Sequence, residues 1–204
     1  MTMQNNHKVL TISMLIGAAA ALLLSAFGSF AEQCAGLRAE VLRLHILAAS
    51  DSAEDQQLKY DLRDFLLADL NFSLADAYTI KEAKELTEQS LVETERKAVE
   101  FVRSQGYDYD VRIKLDKAYF TTRVYENITM PAGNYYALIV QIGTGEGENW
   151  WCVAFPPLCL PAGTKRSGEP AQPYFTPEAG RIIESGGRPE FRFAVYEWFT
   201  ARFR

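Results

Sequence analysis

Val41-Leu42-Arg43-Leu44-His45-Ile46-Leu47-Ala48 alternates, with Leu42, Leu44, Ile46 and Ala48 in one set and Val41, Arg43, His45 and Leu47 in the other. Successive side chains of a strand point to opposite faces, so a period of two reads as a strand with the first set turned to a core. Ser50-Asp51-Ser52-Ala53-Glu54 then stops it, and Asp51 with Glu54 three residues on is a capping arrangement that opens a helix. In that helix Leu58, Leu62, Phe65, Leu66 and Leu70 recur at helical spacing. Asp55, Lys59 and Arg63 lie four apart along another face, where Asp55 and Lys59 form a favourable pair.

Toward the C-terminus, Asp76 to Ser104 is a second helical region, one long helix or two. Its apolar stripe is Ile80, Ala83, Thr87, Leu91, Ala98, Phe101 and Val102, with Gly106 placed to cap the end. The period then returns to two. Val111, Ile113 and Leu115 alternate with Arg112, Lys114 and Asp116, and a short run over Tyr119 to Tyr125 follows. Pro131-Ala132-Gly133-Asn134 is a turn signal, after which Tyr136, Leu138, Val140 and Ile142 take one side of a strand. Gly143-Thr144-Gly145-Glu146-Gly147 reads as a hairpin turn, with Asn149 to Phe155 as the returning strand. Residues 161–189 hold five prolines and five glycines, which predicts a loose loop. Residues 190–204 read as a strand, Phe191 to Val195, running into a short helix that packs its aromatics. Helices early and neighbouring strands later, without regular alternation, predict an α+β domain: a mostly antiparallel sheet against two or three helices. The first and last strands must join that sheet from a distance.

Toward the N-terminus, Val9 to Phe30 is an uncharged apolar run after His7 and Lys8, which is an export signal. It is long enough to remain as an anchor, and Ser29-Phe30-Ala31 is a small-x-small pattern that a signal peptidase would cut after Ala31. Both outcomes stand for residues 1–31, and both put the rest of the chain outside the cytoplasm. Cys34 follows in what reads as a stem. The folded part, 38–160 with its C-terminal extension, fits one domain. With 21 basic against 26 acidic residues and a net charge of −5, the chain lacks the polybasic surface that nucleic acid or an anionic membrane would attract. A protein partner fits better.

Chemistry is sparse. Beyond residue 31 there is one histidine, His45, with cysteines at 34, 152 and 159, and none has the close spacing of a common zinc site. No cofactor motif is present, and the glycines at 143, 145 and 147 join two strands instead of opening a phosphate-binding helix. Cys152 and Cys159 have three readings: a disulfide closing the loop bent by Pro156-Pro157, buried thiols, or a cysteine nucleophile served by His45. Trp150 and Trp151, adjacent on a strand, must point to opposite faces, each needing a cover from this chain or from another. Ser50, Asp51, Asp55, Gln56, Lys59 and Arg63 gather polar groups at the strand-to-helix corner, where they cap backbone or present a docking face.

Two segments, HILAASDSAEDQQLKYDLRD (45–64) and PAGNYYALIVQIGTGEGENWWCVAFPPLC (131–159), together resemble the stage II sporulation protein R family of endospore-forming bacteria. The resemblance covers roughly residues 38 to 160. One departure is visible: the family commonly reads Ala-Asn-Ser-Asp where this chain has Ala48-Ala49-Ser50-Asp51. The resemblance implies a signal and not a catalyst. Such a protein is exported from the forespore into the space between the septal membranes. There it is needed to switch on a membrane-embedded aspartic protease of the mother cell, which removes the inhibitory pro-segment of sigma-E. No small-molecule substrate is implied. The residues carried by the motif are His45, Ser50, Asp51, Asp55, Gln56, Lys59, Arg63, Asn149, Trp150, Trp151, Cys152, Pro156, Pro157 and Cys159. The expectation is that the polar corner and the tryptophan strand form one composite surface that meets the protease. The alternative is an extracytoplasmic enzyme using Cys152 or Cys159.

Overall fold

A computed structural model describes residues 3–125, 128–156 and 191–202. In chain order its elements are α1 (Met3–Ala39), β1 (Leu42–Leu47), α2 (Ala53–Ser73), α3 (Ile80–Ser104), β2 (Val111–Phe120), β3 (Arg123–Tyr125), β4 (Ile128–Met130), β5 (Gly133–Ile142), β6 (Asn149–Phe155) and α4 (Phe191–Arg202). Four strands make a mixed sheet in the order β2-β5-β1-β6, and β3 pairs with β4 as a separate ribbon. Two of the three ladders in the main sheet are antiparallel; β1 and β5 run parallel. This is the expected α+β class.

The first strand does more than join the sheet, because β1 lies between β5 and β6. A strand in that position has both edges paired, and with helices over both faces Val41, Leu42, Arg43, Leu44 and Ile46 are all buried. Leu42, Leu44 and Ile46 meet α2 and α3 in one core, together with Leu58, Leu62, Leu66, Ala98, Val102, Leu138 and Val140. The opposite face packs Ala137, Tyr135 and Val153 against Phe30, Cys34 and Leu37 of α1 and Tyr196 of α4. The sheet is therefore a middle layer between two helical ones.

The helical stripes read from the sequence face these cores. The second helical region is one helix. Thr79 caps α3, its hydroxyl accepting from Glu82 N–H while the Glu82 carboxylate accepts from Thr79 N–H. Gly106 sits at φ +88° just past its end. At α2 the cap is Ser52 and not Asp51: its hydroxyl accepts from the N–H of Asp55. Asp51, one residue earlier, is used elsewhere.

Three further expectations are corrected. The 143–147 turn is not a hairpin. It carries the chain from β5 across the end of β1 to β6, and glycines at φ +55° and +69°, Gly143 and Gly145, make the bend. Phe191 to Val195 is not a strand but the start of α4. Five alternating residues are too few to separate the two periods, and Tyr196 with Thr200, four apart, supplies the face that packs on the domain. Cys34 stands in no loose stem, because α1 continues unbroken past Ala31 and buries Cys34 completely. Val9–Ala39 is long and apolar enough to cross a membrane, and so fits a signal or anchor segment. The expected 161–189 loop, Pro157 and Cys159 lie outside the described residues.

Candidate functional site

The turn after β5 and the corner after β1 are hydrogen-bonded together at four points. Gly147 N–H donates to the Ala48 carbonyl at 2.9 Å, and the Thr144 hydroxyl donates to the Ala49 carbonyl at 3.0 Å. Glu148 N–H donates to Asp51 Oδ1 at 2.7 Å, and Lys59 Nζ donates to the Glu148 carbonyl at 3.1 Å. Approach is so close that a Cβ on Gly147 would stand 2.2 Å from the Ser50 carbonyl oxygen. The two motif segments are thus one structural unit.

Inside the corner, Ser50 Oγ donates to Asp55 Oδ2 at 2.5 Å, and Gln56 Nε2 donates to the Ser50 carbonyl at 2.9 Å. Lys59 Nζ also donates to Gln56 Oε1. The Asp55 carboxylate is buried and holds the phenol of Tyr109, whose pKa is raised by that bond and then by burial. Lys59 is only 1% exposed. Loss of hydration lowers its pKa, opposed by the nearby charges of Glu148 and Asp51. Asp55 and Lys59 therefore act inside the corner, and neither is offered to a partner. Asp51 is exposed, with Gln56 and Ser50 half-buried beside it.

Trp150 joins this corner. Its ring is edge-on to Tyr60 at 5.5 Å, and the Arg63 guanidinium lies 4.6 Å from its centroid and 5.2 Å from that of Tyr60. Arg63 Nε donates to Asp64 Oδ1 at 2.8 Å. Trp150, Tyr60 and Arg63 stay half-buried, forming an aromatic and cationic ridge along α2.

Trp151 turns to the other face of the sheet, as strand geometry requires. There it meets His45 at 5.7 Å and Phe120 at 6.3 Å, with the Arg123 guanidinium 4.2 Å from its ring. His45 Nε2 is 2.7 Å from Asn149 Oδ1. Burial lowers the His45 pKa most; the Asn149 bond opposes this and the Arg43 charge adds to it. Arg43 is fully buried, donates through Nε to the Cys152 carbonyl at 2.7 Å, and lies 4.3 Å from the Phe120 centroid and 5.0 Å from that of Tyr135.

The ten candidate residues therefore fall on two faces. Ser50, Asp51, Asp55, Gln56, Lys59, Arg63 and Trp150 gather at the corner; His45, Asn149 and Trp151 gather behind the sheet. Each indole packs on neighbours from this chain, and both rings stay half-buried. The β1–β6 register, Leu44 opposite Cys152 and His45 opposite Trp151, also turns the Cys152 and His45 side chains to opposite faces. They form no nucleophile–base pair. Among the described residues no group of three His, Cys, Asp or Glu could hold a metal ion.

The sequence alone assigns no role in a site to Arg43, Tyr60, Tyr109 or Glu148, and Gly147 reads there only as part of a turn. An arginine in the strand alternation was a visible signal for the first. The others act through backbone or through a contact from another element, which no local pattern reveals.

The family model described as stage II sporulation protein R matches residues 38–165. Stage II sporulation protein R of Bacillus subtilis (strain 168) is 40% identical over 121 residues, 59% of this chain and 54% of that protein. The chain thus spans about half the length of this curated relative. No solved structure matches the chain.

Proposed function

Because the chain belongs to the stage II sporulation protein R family, and so has a role in sporulation, we propose that it is the exported signal that activates a membrane-embedded aspartic protease of the mother cell. That protease then removes the inhibitory pro-segment of sigma-E, and the signal acts from the space between the septal membranes. The observation that carries the reading is the built corner: the two motif segments, 97 residues apart at Asp51 and Glu148, are clamped into one unit. Its outer side offers Asp51, Gln56 and the Tyr60–Arg63–Trp150 ridge. A rigid patch loses little conformational freedom on binding, and an aromatic–arginine cluster is the composition of an interface hot spot. Activation then means tighter binding to the active state of the protease, where tenfold preference corresponds to about 1.4 kcal/mol.

The rival, a cysteine enzyme, is weakened by the opposed facing of Cys152 and His45. For Cys152 we favour a disulfide with Cys159, which thiol alkylation before and after reduction detects in the exported protein.

The test is sigma-E precursor processing in sporulating cells carrying Arg63→Ala or Arg63→Glu. Processing should fall several-fold while the exported variant stays folded and as abundant as the parent. Cys152→Ser should still support processing when enough protein accumulates. Full processing with both corner variants would remove the corner from the interface, and loss of processing by an abundant, folded Cys152→Ser protein would favour the enzyme.

A further inference from the structure

Helix α4 carries an apolar stripe that the domain leaves largely open. Val195, Trp198 and Phe199 share one helical face with Arg202, and they are 36%, 68% and 44% exposed. The opposite side is committed: Tyr196 is buried, Thr200 Oγ1 is 3.4 Å from the Tyr119 hydroxyl, and Glu197 accepts from Thr122 N–H at 3.3 Å. A tryptophan this open beside a phenylalanine on a secured helix needs a cover.

The position of the stripe says what covers it. Helix α4 packs on α1 at Phe27 and Phe30: Phe199 and Tyr196 lie 5.7 and 6.3 Å from the Phe27 ring, and Tyr196 lies 5.9 Å from Phe30. Arg38 Nη1 donates to the Tyr196 hydroxyl at 2.5 Å, securing the pair one helical stretch further on. Phe27 and Phe30 are the last turn of the uncharged run, and Glu32 is the first acid after it. Val9 to Phe30 spans roughly 33 Å at about 1.5 Å per residue, the thickness of a hydrocarbon core of about 30 Å. The level at which α1 leaves the lipid is therefore the level at which α4 is attached.

We propose that α4 is an interfacial helix: its Val195–Trp198–Phe199 stripe lies in the headgroup region beside the emerging α1 and holds the α/β domain against the bilayer. Tryptophan is suited to that zone, where its ring is apolar and its N–H reaches water, and Arg202 on the same stripe meets lipid phosphate. Retention of α1 is part of the proposal, since a cut after Ala31 would remove both phenylalanines that seat α4.

The full chain, reconstituted in phosphatidylethanolamine–phosphatidylglycerol vesicles, tests it. Lipids brominated near the headgroup end of the acyl chain should quench the tryptophan emission. Trp198→Tyr, at an exposed position, should keep the circular dichroism spectrum and lose most of that quenching, because Trp150 and Trp151 sit within the domain. Equal quenching of parent and variant, or quenching of Trp198 by aqueous acrylamide and not by the brominated lipid, overturns the proposal. So does a Trp198-dependent dimer in sedimentation without lipid quenching, which would assign the stripe to a second copy.

Discussion

Asp51 accepts a 2.7 Å hydrogen bond from the backbone N–H of Glu148, joining positions 97 residues apart. That contact explains why a polar string after the first strand and a glycine-rich turn before the last belong together. The acid is not the helix cap that its local sequence suggests; Ser52 has that task. Asp51 instead fixes the crossing of the β5–β6 connection over the end of β1.

The tightest point of the crossing is Gly147. Gly147→Ala would place a methyl group 2.2 Å from the Ser50 carbonyl oxygen, which is backbone and cannot rotate aside. The corner must open, at a cost of about 1–3 kcal/mol typical of overpacking. Urea unfolding of the exported domain should register a lower midpoint with an unchanged slope.

Lys59 is the second structural member. Lys59→Met keeps much of the volume but leaves Gln56 Oε1 and the Glu148 carbonyl without their ammonium donor. A loss of about 1–3 kcal/mol is expected. Impaired signalling in a Lys59 variant should therefore track lost folded protein, measured as exported protein resistant to protease.

His45 makes stability depend on pH. Its folded pKa is depressed below 6.5, chiefly by burial, so the unfolded chain takes up the proton first as pH falls. Stability should decline as pH drops below about 6.5 and level off below the folded pKa. His45→Gln should flatten that portion of the profile in urea melts at successive pH values.

The ridge separates size from polarity. The Trp150 indole N–H is shielded from solvent and has no acceptor among the described residues, whereas its ring packs on Tyr60 and Arg63. Trp150→Phe should cost no more than about 1 kcal/mol, since the lost N–H was unmatched. Trp150→Ala should cost roughly 2–4 kcal/mol through the space it leaves. Calorimetric melting of the two variants checks the order.

The layers were legible because apolar residues repeat with the periods their elements impose. Leu58, Leu62 and Leu66 in α2, and Leu138, Val140 and Ile142 in β5, face the same core from which they were read. The central place of β1 was not legible, because strand order is decided by long-range pairing and no local pattern encodes it. The same gap made the 143–147 turn look like a hairpin. The site was half legible: its polar residues stood out, but the split of Trp150 from Trp151 became a division of the whole set only once β6 was paired with β1. Burial of Lys59 could not be read from a charge four residues from Asp55, since its partners come from Gln56 and from Glu148 in the β5–β6 connection.

The central claim is that the outer side of the corner is gripped by the membrane protease. A photoreactive amino acid at Gln57, an exposed position on α2 beside Tyr60, should crosslink to the protease during sporulation. The same group at Val92, 83% exposed on α3, should not. Crosslinking from Val92 and none from Gln57, in proteins exported to equal levels, would contradict it.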